Sequence, residues 1–147
     1  MKKTDIAYMA GLFDGEGTVG IQKQKSKTSK AGYTYVMRVR LAISDRWIIE
    51  WFRMAWGGNV HFRKPSKIGW LTIWAWQVNG NNAIDFLTAI KPYAILKQSQ
   101  IEVALRFQER RWKKVIRGRH KTEEELALDE ADKILCFELK HNQLIRG

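Results

Sequence analysis

The sequence predicts an α+β fold: one four-stranded antiparallel sheet with helices on one face, followed by C-terminal helices. Three observations carry this prediction. Apolar residues recur first at helical spacing and then in alternation, and this helix–strand–strand unit comes twice before a third helix. Val39, Leu41 and Ile43 alternate with Arg38, Arg40 and Ala42, as in a half-buried strand whose other face attracts anions. Turn and breaker residues, Gly57-Gly58 and Pro92 among them, separate the periodic runs.

Each element follows from its own residues. Thr4 or Asp5 caps a helix running to about Asp14. Ala7, Ala10, Gly11 and Asp14 form a small-residue stripe that admits another backbone closely, while Ile6, Met9 and Phe13 face a core. A strand covers roughly 18–25, with Val19 and Ile21 inward and Gly20, Gln22 and Gln24 outward. After a polar loop, a second strand covers roughly 34–43. "SDRWIIEWFRMAWGG" is a helix capped by Ser44 or Asp45 and stopped by Gly57-Gly58. Its apolar face is Ile48, Trp51, Phe52 and Ala55, and Trp47, Trp51 and Trp56 are expected in the core. Val60 and Phe62 alternate with His61 and Arg63 in a third strand, and "KPSKIG" turns it back. The returning "WLTIWAWQV" is apolar on both faces, so its facing stays open. "NNAIDFLTAI" is a helix broken at Pro92, a long helix runs from about 97 to 116, and Thr122 with Glu125 forms a capping box for a helix over 123–142.

Composition narrows the function. A chain of 147 residues is near the size of one domain and buries about 68–70% of its unfolded surface. The lone Cys136 excludes an internal disulfide, fits a reducing compartment and reads as a small buried hydrophobe. No run of 18 apolar residues is present to span a membrane. The basic-then-apolar start lacks an A-x-A site and carries Asp5, Asp14 and Glu16, which argues against a signal peptide and for an intracellular protein in cytoplasm, nucleoid or organelle matrix. Net charge is +11, with 11 Lys/Arg against 2 Asp/Glu over residues 22–67 and 10 against 2 over 91–121. Residues 122–147 reverse this, 3 against 7. Two basic zones form the footprint of a nucleic-acid binder, and the acidic last helix is expected to pack on the zone at 91–121. His61, His120 and His141 lie too far apart for a zinc site, "DGEG" lacks the lysine and spacing of a phosphate loop, and nothing suggests a Ser/His/Asp hydrolase.

One stretch resists a purely structural account. "MAGLFDGEGTVGI" places glycines on both sides of Glu16 where a helix gives way to a strand, although each glycine within an element costs about 0.5–1 kcal/mol. "YMAGLFDGEG" resembles the signature of the LAGLIDADG homing endonucleases, with residues 9–17 fitting across nine positions. The element order is similar to that family's αββαββα core with its saddle-like sheet, and "IKPYAILKQSQ" resembles the segment that presents its active-site lysine. The resemblance covers about residues 4–117 of a single domain over 1–147, leaving 118–147 as a C-terminal helical extension.

The resemblance implies a site. Glu16 becomes the catalytic metal ligand, with the Gly15 carbonyl beside it, for Mg²⁺ or Mn²⁺. A helix C-terminus carries negative potential and free carbonyls, so an added carboxylate calls for a hard cation. The flanking glycines are expected to let the chain turn sharply and let DNA approach. Lys97 acts on transition-state charge or helps activate water. Asp45 orders active-site water, and it equally suits a plain helix cap. Ile49 stands where a family member has a basic residue, with Arg46 the nearest substitute. Asp14 is structural, matching a carboxylate that caps the partner helix. With one signature per chain, the family pattern implies a homodimer through Ala7, Tyr8, Gly11 and Asp14 of the 5–14 helix. That dimer cuts a long near-palindromic double-stranded DNA site by two-metal hydrolysis and leaves 3′ overhangs. Gln22, Gln24, Arg38, Arg40, His61, Arg63, Thr72 and Trp74 would read bases, and Lys25 and Lys64, with neighbouring lysines, would hold phosphates. The alternatives are a splicing cofactor (maturase) binding intron RNA with the same face, and a DNA-binding regulator without activity.

Overall fold

Over the described residues, 1–113 and 121–141 of the computed structural model, the chain forms α1 (Lys3–Glu16), β1 (Gly17–Lys25), β2 (Tyr33–Ile43), α2 (Arg46–Trp56), β3 (Asn59–Arg63), β4 (Ile73–Val78), α3 (Gly80–Ile90), a 3-10 turn (Lys91–Tyr93), α4 (Gln98–Lys113) and α5 (Glu123–His141). The expected ends at 116 and 142, the core boundary at 117 and His120 lie outside the described residues. The sheet has the order β1-β2-β4-β3. β4 pairs antiparallel with β2, from Val39 opposite Val78 to Ile43 opposite Trp74, and with β3, from Asn59 opposite Gln77 to Arg63 opposite Ile73. The chain divides into two compact units, residues 1–18 with 38–96, and 19–37 with the described residues from Lys97 on. Among the described residues, no helix is long and apolar enough to cross a membrane.

The first unit is built on aromatic packing. Phe86 of α3 lies 5.1 Å from Phe13, 4.9 Å from Trp76 and 5.5 Å from Trp56, each nearly edge to face, and 5.9 Å from Phe52. Such pairs add about 0.5–1.5 kcal/mol beyond their burial. The Trp76 indole N–H donates to the Gly57 carbonyl at 2.7 Å, so the largest buried side chain leaves no polar atom stranded. Gly58, at φ 90°, has no alternative: a Cβ there would lie 2.5 Å from the Gln77 carbonyl.

The structure corrects several expectations. α1 starts at Lys3, so Thr4 and Asp5 lie inside its first turn, and Lys2 holds the cap position through its carbonyl alone. Its buried face is Met9, Ala10, Phe13 and Asp14. Gly15 is still helical and Gly17 is extended at φ −81°, so neither glycine makes a sharp turn. Gly17 is required by a close approach instead, because its Cβ would stand 2.2 Å from the Phe13 ring. In α2 the buried residues are Ile49 and Phe52, while Ile48, Trp51 and Ala55 are half-buried and Trp47 is 83% exposed. The helix is rotated by about one residue from the predicted phase, because "WIIEWF" offers apolar side chains in nearly every direction.

The second unit joins α4 to α5 through charge. Arg110 bonds Asp132 at 2.7 Å and Asp129 at 2.8 Å, Arg106 bonds Asp132 at 2.9 Å, and Lys121 pairs with Asp129. Burial works against the Arg110 charge, but its bonds to the two aspartates outweigh burial and hold the guanidinium above its ordinary pKa. Cys136 is buried beside them, and burial pushes its thiol up to about 12. The acidic helix therefore does pack on the basic zone. Thr122 Oγ1 accepts the Glu125 N–H at 3.2 Å, as the capping box requires. The Tyr35 hydroxyl donates to Glu130 at 2.5 Å, and Arg111 donates to the Tyr35 carbonyl.

Candidate functional site

In the first unit, α1 delivers three consecutive signature residues to different environments. Asp14 is buried, and its Oδ2 accepts the N–H groups of Ile95 at 2.7 Å and Leu96 at 3.0 Å. The signature carboxylate thus clasps a stretch of its own chain more than eighty residues away. Gly15 and Glu16 are exposed at the helix end. The Phe13 carbonyl is taken by the Gly17 N–H, and last-turn carbonyls of a helix point outward from its C-terminal end. An exposed carboxylate beside last-turn carbonyls is a set of hard oxygen donors that fits a divalent cation. Among the described residues, no three His, Cys, Asp or Glu side chains gather into a metal cluster.

The clasped pair Ile95-Leu96 leads directly into Lys97, the first residue of the second unit's later segment. Lys97 is only 8% exposed, not a solvent-facing lysine, and its carbonyl accepts the Ile101 N–H at 2.9 Å to open α4. Asp45 is exposed and caps α2, its Oδ1 accepting the Ile48 N–H at 3.0 Å. Ile49 is fully buried, so its position serves the core. Arg46 lies with its guanidinium 4.9 Å from the Trp74 ring centroid.

The register settles which residues share a face. Arg40, Gln77 and Asn59 stand in one cross-strand row, and Ala42, Ala75 and His61 in the next, with Arg63 beyond them opposite Ile73. Leu41, Trp76 and Val60 occupy the opposite face, as do Ile43, Trp74 and Phe62. Trp74, expected with the base readers, therefore lies on the other side, where its ring is 5.3 Å from Phe62. Thr72 precedes β4 and belongs to no strand. The facing of this apolar run is decided only by its neighbours. Gln77, near the end of that run, shares the face of Arg40, a placement that the run's own pattern does not indicate. Arg38 is half-buried and Lys64 exposed. In the second unit Gln22, Gln24 and Lys25 are exposed along β1, and the Lys23 ammonium lies 4.0 Å over the Tyr33 ring. Of the α1 residues proposed for dimer contact, Tyr8 and Gly11 are exposed, Ala7 is half-buried, and Tyr8 sits 6.0 Å from Trp51.

A profile of the LAGLIDADG endonucleases matches residues 9–109. The chain belongs to that family. No curated protein matches it by sequence. Among solved structures, this LAGLIDADG chain is similar to the homing endonuclease I-TnaI, at TM-score 0.72 and 18% identity over 99% of this chain and 97% of that one. It is also similar to I-CvuI, solved with an I-CreI target and 2 mM Mg with the DNA not cleaved, at TM-score 0.74 and 16% identity over 93% and 82% of the two chains. A third is the meganuclease I-SmaMI bound to uncleaveable DNA, at TM-score 0.62 and 16% identity, where the match spans 94% of this LAGLIDADG chain but 44% of the other.

Proposed function

We propose that this LAGLIDADG chain is a site-specific, divalent-metal-dependent DNA endonuclease acting as a homodimer. One observation carries the reading: Asp14 ties the end of α1, where Glu16 is exposed, to the amides that lead into buried Lys97. Glu16 and the Gly15 carbonyl would hold the metal, which when bound supplies an activated water and charge stabilisation at the phosphate. Lys97 neutralises charge that develops on the phosphate during cleavage. Asp45 orients water while its cap bond fixes its position. The exposed Tyr8 and Gly11 leave a face of α1 open to a second copy, and a two-copy enzyme would cut a near-palindromic target, leaving the 3′ overhangs that the family resemblance implies.

The face bearing Arg40, Gln77, His61 and Arg63 reads bases, and Arg38, Gln22 and Gln24 take the same role. Arginine pairs with guanine and glutamine with adenine in the major groove. Lys25 and Lys64 hold phosphates and give salt-dependent affinity.

The test is cleavage of a randomised plasmid library with Mg²⁺ and then Ca²⁺, comparing wild type with Glu16→Gln. Cuts at a near-palindromic site are expected, falling on the order of a hundredfold or more in Glu16→Gln while DNA affinity is kept. Wild type that cuts nothing while binding structured RNA tightly would overturn the nuclease reading in favour of splicing.

A further inference from the structure

The loop of residues 64–72, between β3 and β4, is built unlike a solvated turn. Ile68 is fully exposed, and Trp70 and Leu71 are exposed beside it. Gly69 has φ 90°, a conformation natural to glycine, and it turns the chain between Ile68 and Trp70. The Lys67 ammonium lies 5.1 Å over the Trp70 ring, a cation–π contact that orients the indole. Arg63 and Lys64 are exposed at the loop's start, and no acidic residue occurs from 51 to 84. Three large apolar side chains exposed together on one loop mark a contact surface.

The charge selects the partner: a polyanion that also offers apolar surface. The register selects among polyanions, because the loop continues the strand whose His61 and Arg63 share a face with Arg40 and Gln77. A duplex lying on that face meets the loop at its flank. Stacked bases supply the apolar surface, and aliphatic side chains are the usual wedges between base steps.

We infer that Ile68, with Trp70 and Leu71 beside it, is a wedge that enters the duplex at the flank of the bound target and unstacks one base step. Lys64 and Lys67 take the adjoining phosphates. This rests on the DNA-binding reading above. It gives the protein a way to select targets by how easily their flank deforms, at positions it does not hydrogen-bond.

The experiment uses the full chain, Ca²⁺ and duplexes of the recovered target with 2-aminopurine placed in turn along each flank. The wild type is expected to raise fluorescence several-fold at one step per half-site. Ile68→Ser should abolish that rise and weaken binding about tenfold. Ile68 packs against nothing, so folding is kept, and circular dichroism checks it. Arg40→Ala should weaken binding yet leave the rise in the bound complex. Flat fluorescence along both flanks at saturation overturns the wedge but leaves DNA binding standing. The same holds if Ile68→Ser binds and brightens like wild type. If the wild type binds no duplex, the parent reading fails and the wedge with it. Sedimentation with phosphatidylserine vesicles that is lost in Ile68→Ser, with flat fluorescence on DNA, assigns the loop to a membrane surface instead.

Discussion

Helices α2 and α5 are buried in opposite ways. α2 turns Ile49 and Phe52 inward. α5 turns Asp129, Asp132 and Cys136 inward and leaves Leu128, Ile134, Leu135 and Phe137 exposed. The first arrangement gains from removing apolar area from water, whatever the neighbour's details. The second depends on particular partners: Arg106, Arg110 and Lys121 must be present and aligned. A buried ion pair adds little net stability over an apolar pair of the same volume, yet losing one partner leaves a costly unpaired charge. One chain therefore contains a core tolerant of chemistry but not of volume, and a helix pair tolerant of volume but not of charge.

Three measurements would break or sharpen this contrast. The largest effect is expected for Phe86→Ala, which empties the centre of the aromatic cluster and should cost about 3–5 kcal/mol in denaturant unfolding. Next comes Arg110→Ala, which leaves Asp132 only Arg106 and Asp129 only Lys121 as a partner and should cost about 2 kcal/mol, with loss of hydrogen-exchange protection concentrated in α5. Replacing the set together, Arg110→Met with Asp129→Leu and Asp132→Leu, should recover most of that loss. The contrast fails if Arg110→Ala leaves α5 as protected as before.

The smallest effect is a pH dependence. The bond from the Tyr35 hydroxyl, and then the one from Lys133, hold Glu130 below its ordinary value of 4.5. A lowered carboxylate stabilises the fold fully above that ordinary value and loses its contribution as pH falls through the lowered one. The stability advantage of wild type over Glu130→Gln should therefore shrink on acidification. An advantage that stays constant down to acid pH would mean that the carboxylate is not selectively held.

Local chemistry was legible and long-range facing was not. Asp45, Gly57-Gly58, Pro92 and Thr122 act on backbone within a few residues, so their roles could be read directly. The structural role of Asp14 was expected from the nine-residue signature, but its partners are Ile95 and Leu96, which no local pattern indicates. Trp74 and Gln77 sit on faces fixed by β2 and β3, and the phase of α2 depends on which of its crowded apolar residues meets α3 and β4. The acidic helix was expected on basic residues, and its outward apolar side was not foreseen.

The alternation along β2, β4 and β3 has a consequence for descent. Val39, Leu41, Val78 and Trp76 look one way, and Arg40, Gln77 and His61 the other. Changes at Arg40, Gln77 or His61 leave the aromatic interior untouched. On the proposed reading of bases by that polar face, a lineage carrying this sheet could wander from one target to the next while its scaffold stays still, and recognition would be free to evolve faster than the fold that displays it.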